Sequence, residues 1–113
     1  MQWNLPHMPW DETSIEVVKF DVNDDGKTKR LNDRIVELSM KNVNFHAPQW
    51  SPQSQLHLIC DRTNWWNVYS VDLEQKQLNE NVYETQSEIG APQWQFCDRH
   101  YAMNQHGSRF VLF

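Results

Sequence analysis

Ala47-Pro48-Gln49-Trp50 and Ala91-Pro92-Gln93-Trp94 are the same four residues met twice, 44 positions apart. A period of about 40 to 50 residues is that of the four-stranded blades of a β-propeller. Six residues after each Trp a short β-prone run begins, Leu56-His57-Leu58-Ile59-Cys60 in one copy and His100-Tyr101-Ala102-Met103-Asn104 in the other. The two runs read as the same strand in successive blades.

A second correspondence extends the pattern toward the N-terminus. Ile15 to Val22 aligns with Trp66 to Leu73 at an offset of 51, and each run ends in an apolar-Asp-apolar step. Asn23-Asp24-Asp25-Gly26 follows the first and Glu74-Gln75-Lys76 the second, both with the residues that reverse an antiparallel strand. The predicted architecture is all-β, a partial β-propeller of two to three antiparallel blades with one complete. Its blade parts span roughly 1–38, 47–82 and 91–113 of a single propeller fragment. In the third part, Trp94-Gln95-Phe96, His100 to Gln105 and Arg109 to Phe113 are expected as strands, with His106-Gly107-Ser108 as a turn. Phe110-Val111-Leu112-Phe113 carries no polar cap, so further chain is expected to cover it. Arg34 to Met40, the best stretch for a helix, lacks a sustained apolar stripe of helical period.

Composition narrows the function. Hydrophobic residues make up 39% and charged residues 22%, which fits a packed domain and not a disordered tail. A net charge of −5 argues against a phosphate-neutralising surface and hence against nucleic acid as a partner. No apolar run approaches the roughly 20 residues of a spanning helix, and Met1-Gln2-Trp3-Asn4 does not open a signal region. No membrane association and a cytoplasmic location are therefore expected. Cys60 and Cys97 lack CxxC spacing and read as reduced thiols.

The run Ala47-Pro48-Gln49-Trp50-Ser51-Pro52, then Leu56 to Cys60, then Asp61-Arg62-Thr63-Asn64-Trp65-Trp66-Asn67-Val68-Tyr69 carries a more specific signal. It resembles the propeller stretch of acylaminoacyl-peptidase-like members of the prolyl oligopeptidase family of serine peptidases. Pro6-His7-Met8-Pro9-Trp10-Asp11 is similar to the segment that precedes it there. Gln53-Ser54 stands where Asp-Gly is usual and Asn64 where Gly is usual, both turn positions, and Asn tolerates the left-handed backbone that Gly otherwise supplies. The resemblance implies a noncatalytic portion of a peptidase, whose nucleophilic Ser, Asp and His belong to an α/β-hydrolase domain outside this chain. That domain is the implied partner, with a peptide as the substrate of the whole enzyme. No G-x-S-x-G elbow occurs in the chain.

Site candidates follow from the same residues. Trp50, Trp94, Pro48, Pro92 and Pro52 are read as structural repeat positions, the two Trp packing between blades. Trp65 and Trp66 are adjacent, so in an extended chain they face opposite sides, and one is a candidate to face a ligand. Asp21-Val22-Asn23-Asp24-Asp25-Gly26 opens like a calcium loop, but Asn32 stands where the bidentate Glu belongs and Lys27 and Lys29 bring positive charge. A solvated hairpin turn is the expectation. His7, His46, His57, His100 and His106 lack zinc-ligand spacing and read as structural or solvent-facing. No catalytic residue, metal or cofactor is predicted. The competing reading is a free-standing interaction module that closes its sheets by association with copies of itself.

Overall fold

The computed structural model describes residues 1–95 and 99–113, and for residues 30–36 the backbone alone. The described chain is all-β and contains no helix. Eight strands follow in order: β1 Ile15–Val22, β2 Thr28–Leu38, β3 Phe45–Trp50, β4 Leu56–Cys60, β5 Asn67–Asp72, β6 Gln77–Asn81, β7 Tyr101–Met103 and β8 Phe110–Leu112. They form three antiparallel sheets, β1-β2, β3-β4-β5-β6 and β7-β8. The central sheet is a simple meander, since each antiparallel neighbour is reached through a short turn.

Why this meander is central is written in β4, all five of whose residues are buried. Side chains alternate across a strand, so a strand buried on every residue needs cover on both faces. Leu56, Leu58 and Cys60 share one core with Tyr69, Val71 and Leu78 of the same sheet and with Ile15 and Leu38 of the β1-β2 hairpin. Ile59 and Val68, directly opposite each other on β4 and β5, turn the other way toward Ile89, Tyr101, Phe110 and Leu112. Each fully buried aliphatic side chain of this kind contributes on the order of 1.5 to 3 kcal/mol. A full sheet flanked by parts of two others is the layered arc expected of a partial propeller.

Both outer hairpins form where the turn residues predict. Between β1 and β2, Gly26 N donates to Asn23 O at 2.8 Å and Asn23 N donates to Lys27 O at 2.9 Å. The Asp25 carboxylate accepts from Lys27 N and pairs with Lys27 Nζ at 3.6 Å, so this segment is a hairpin turn. Between β5 and β6, Asp72 Oδ1 accepts from the backbone N–H groups of Glu74 and Gln75 at 2.9 and 2.8 Å. Ser54 and Asn64 adopt φ of 61° and 66°, the left-handed conformation anticipated at the two positions where the resembling family has Gly. Pro52 lies inside the turn that Ser54 N closes on Ser51 O at 2.9 Å. The stretch 34–40 continues β2 as far as Leu38.

The two copies of Ala-Pro-Gln-Trp differ in structure. In the first, Pro48 sits at an irregularity of β3 between His46 and Gln49, next to Ala47 at φ 51°, where its missing N–H breaks no ladder bond. In the second, the expected strand at Trp94-Gln95-Phe96 is not formed over Trp94 and Gln95, and Phe96 lies outside the described residues. Pro92 instead opens a turn closed by Gln95 N donating to Pro92 O at 3.0 Å. The backbone bond is satisfied locally, and Trp94 packs edge-on against Trp10 with ring centroids 6.0 Å apart. Trp50 and Trp94 are 52% and 64% exposed in this chain, outside both cores. Cys97 also lies outside the described residues, while Cys60 is a free, buried thiol. No helix among the described residues is long and apolar enough to cross a membrane.

Candidate functional site

The N-terminal segment is closed into a loop at its base, where Gln2 and Ser14 exchange backbone hydrogen bonds of 2.9 Å in both directions. Beside it the Thr13 hydroxyl accepts from Phe45 N at 2.6 Å and donates to Phe45 O at 3.1 Å, fastening the loop to the first residue of β3. Inside the loop Asp11 Oδ2 accepts from Met8 N at 2.9 Å, and Asp11 N donates to Met8 O at 2.9 Å. That turn holds Trp10 at the rim of a cleft of about 570 Å³.

A second wall comes from the connection after β6. The buried side chain of Asn67 organises it: Oδ1 accepts from Thr85 N at 2.9 Å and from Asn81 Nδ2 at 3.0 Å, and Nδ2 donates to Ser87 O at 3.3 Å. The chain then runs beside Trp66, whose N donates to Glu88 Oε2 at 2.6 Å and whose O accepts from Ile89 N at 2.8 Å. Gly90 follows at φ 103°, with Ala91 N donating to His100 Nδ1 at 3.0 Å. The His100 ring is therefore the tautomer that carries its hydrogen on Nε2.

The floor is made where the central sheet meets the third. His46 of β3 lies edge-on to Trp66 at 4.8 Å and to His100 at 4.9 Å between ring centroids. Both imidazoles are buried. Desolvation, and second the neighbouring His100, lower the His46 pKa from 6.5 to about 4, so its ring is neutral at neutral pH. Two bonds tie this seam together, Tyr101 Oη donating to Ala47 O at 2.9 Å and Gln49 Nε2 donating to Tyr101 O at 3.2 Å.

Chemically the cleft is aromatic and acidic. Trp10, Trp66 and Trp94 supply the large surfaces, and Asp61 and Glu88 the charges. No Lys, Arg, hydroxyl or thiol is among its described lining residues. Asp61 is anchored by Asn44, whose N and Nδ2 donate to its two oxygens at 2.7 and 2.9 Å. Gln93 lines the same cleft with both amide atoms buried and without a partner among the described residues. The Cys60 thiol is raised to about 11 by burial and faces the other core, so it offers no nucleophile here.

Of the site residues predicted from sequence, Trp66 and Trp94 are brought together in the cleft, with Pro92 beside them. Trp65 is not in its lining and stands 38% exposed. Trp50 and Pro48 lie at a different crevice, beside Val17 and Leu56. Sequence reasoning missed His46, His100, Glu88 and Gln93 as neighbours, and it used Trp10 only as part of a resemblance. The one available signal was the concentration of Trp around the repeated motif.

No family model and no curated protein matches this chain. Solved structures do. A puromycin hydrolase superposes with a TM-score of 0.64 and 25% identity over 93% of this chain, and a mutant of puromycin hydrolase complexed with PGG gives the same values. A puromycin-hydrolyzing peptidase of Mycobacterium tuberculosis superposes with a TM-score of 0.64 and 32% identity over 94% of this chain. The chain spans 15% of the length of each of these structures. In fold and sequence it is similar to one segment of a hydrolytic enzyme several times its size.

Proposed function

We propose that this chain is a noncatalytic β-propeller segment of a serine peptidase of the prolyl oligopeptidase type, which scaffolds and gates the approach of short peptides to an α/β-hydrolase domain. The observation that carries the reading is the similarity itself: at least 93% of the chain matches 15% of peptide- or puromycin-hydrolysing structures. The blade parts at roughly 1–38, 47–82 and 91–113 belong to the same reading. In it the aromatic, acidic cleft faces the peptide, while bond cleavage falls to the nucleophile of the hydrolase domain. The test has two arms on the purified chain. Short peptides are expected to shift the indole N–H resonances of Trp10, Trp66 and Trp94 without being cleaved. Cleavage by the chain alone contradicts a noncatalytic role, and unshifted indoles contradict a peptide-facing cleft.

A second reading, a free-standing module that associates with its own copies, is favoured by one feature. Apolar side chains lie exposed on both outer sheets, Phe20 and Val22 on β1, Val111 on β8 and Phe113 beyond it. Such surfaces drive association when nothing else covers them.

A further inference from the structure

We infer that copies of this chain join head to tail, the exposed surface of the β1-β2 sheet of one copy packing on the exposed surface of the β7-β8 sheet of the next. The inference rests on the self-association reading above and names which faces meet.

The chain carries its own template for the contact, because both of its sheet-to-sheet cores join unlike faces. The central sheet meets the β1-β2 sheet on the face of Leu58, Tyr69 and Val71, and the β7-β8 sheet on the face of Ile59 and Val68. A sheet in this stack thus has one face for the sheet before it and one for the sheet after it. In the first sheet the face for a preceding sheet is open. Phe20 and Val22 of β1 correspond, at the offset of 51, to Val71 and Leu73. Val71 is 1% exposed and Leu73 packs against the core shared with the β1-β2 sheet, whereas Phe20 and Val22 are 62% and 61% exposed. In the third sheet the face for a following sheet is open. Phe110 and Leu112 of β8 pack toward the central sheet, so Val111 between them points away, and it is 58% exposed. The two open surfaces are of opposite kind, one lacking a preceding sheet and the other a following one, and a second copy offers both. Charge favours the same pairing. Residues 99–113 hold Arg99 and Arg109 and no Asp or Glu, while along 19–27 Asp21, Asp24 and Asp25 outnumber Lys19 and Lys27. Surfaces of unlike charge attract and those of like charge repel. A contact between unlike faces leaves one of each open at the ends of the assembly, so it continues to a closed ring or an open filament.

Phe20→Lys and Val111→Lys separate the two faces, since each places an ammonium on one of them. Sedimentation velocity of the native full chain is expected to show assemblies that grow beyond a dimer with concentration. Each variant alone is expected to associate more weakly by about tenfold or more, because its one blocked face interrupts every contact. An equal mixture of the two variants keeps one intact pair of faces, and is expected to form a one-to-one dimer that grows no further. Near-ultraviolet dichroism checks that each variant is folded. Val22→Lys and Phe113→Lys, at side chains 61% and 64% exposed, repeat the experiment where a first variant is not. A native assembly that stops at a dimer, a variant that associates as the native chain does, or a mixture that stays monomeric overturns head-to-tail packing and leaves self-association standing. A native chain that stays monomeric at every concentration overturns both.

Discussion

His46 of β3 and His100, the residue before β7, meet edge to face with ring centroids 4.9 Å apart across the seam between the central and third sheets. Neither has a carboxylate salt-bridge partner among the described residues. Asp61 and Glu88 line the same cleft but each already accepts a backbone hydrogen bond. Because the folded pKa of His46 is depressed to about 4 from 6.5, the unfolded chain binds more protons between those two values. Stability is therefore complete above about pH 6.5 and falls as pH drops toward 4, by about 3 kcal/mol from this group. His57, lowered by burial, acts in the same direction. Urea unfolding across this range is expected to show the loss, and His46→Phe, which keeps an aromatic edge for Trp66, is expected to flatten most of it.

Thr13 holds both backbone polar groups of Phe45 through one hydroxyl. Thr13→Val preserves the shape and leaves a buried N–H and C=O unpaired. A loss of about 2 to 3 kcal/mol in unfolding free energy is expected, with the N-terminal loop exchanging its amide hydrogens faster. Thr13→Ser, which retains the hydroxyl, is expected to recover most of it.

The left-handed residues separate by type. Ser54 at φ 61° is held where a Cβ is unfavourable, and Asn64 at φ 66° is of the residue type that tolerates it. Ser54→Gly is expected to stabilise the chain by about 0.5 to 1 kcal/mol, and Asn64→Gly to change it by less than about 0.5 kcal/mol. Thermal denaturation of the two variants beside the native chain checks the difference.

Gly90 is irreplaceable for two reasons at once. Its φ is 103°, and a Cβ there would stand 2.3 Å from His100 Nδ1. Gly90→Ala must therefore displace the His100 ring that accepts from Ala91 N, at a cost of more than about 2 kcal/mol. Its signature is a change in the His100 ring resonances before any change at β1 or β2.

Much of the fold is legible because the repeat is periodic and its strands are rich in β-branched and aliphatic residues. Strands β1 and β4 coincide with runs recognised by their β-branched and aliphatic content, Ile15–Val22 and Leu56–Cys60. Their hairpin turns were readable from Asn, Asp and Gly chemistry. The strand expected at Trp94-Gln95-Phe96 does not form over Trp94 and Gln95, although the first Ala-Pro-Gln-Trp lies within β3. Pro92 closes a local turn and Trp94 finds Trp10, a partner 84 positions away that no local pattern encodes. The cleft was illegible for the same reason. His46 and His100 are 54 positions apart, and only the stacking of one sheet on the next makes them neighbours. The sequence does not distinguish Trp65 from Trp66, and the path of the chain into β5 decides that Trp66 lines the cleft.

A full four-stranded sheet is flanked by two two-stranded sheets that leave Phe20, Val22 and Val111 exposed, and such apolar surface drives association. Sedimentation equilibrium on the purified chain tests it most directly. Concentration-dependent association is the predicted result, with Phe20→Lys and Val111→Lys shifting the chain toward monomer. A monomer that resists association at every concentration, while unfolding cooperatively, would show that the exposed side chains of the outer sheets do not drive association.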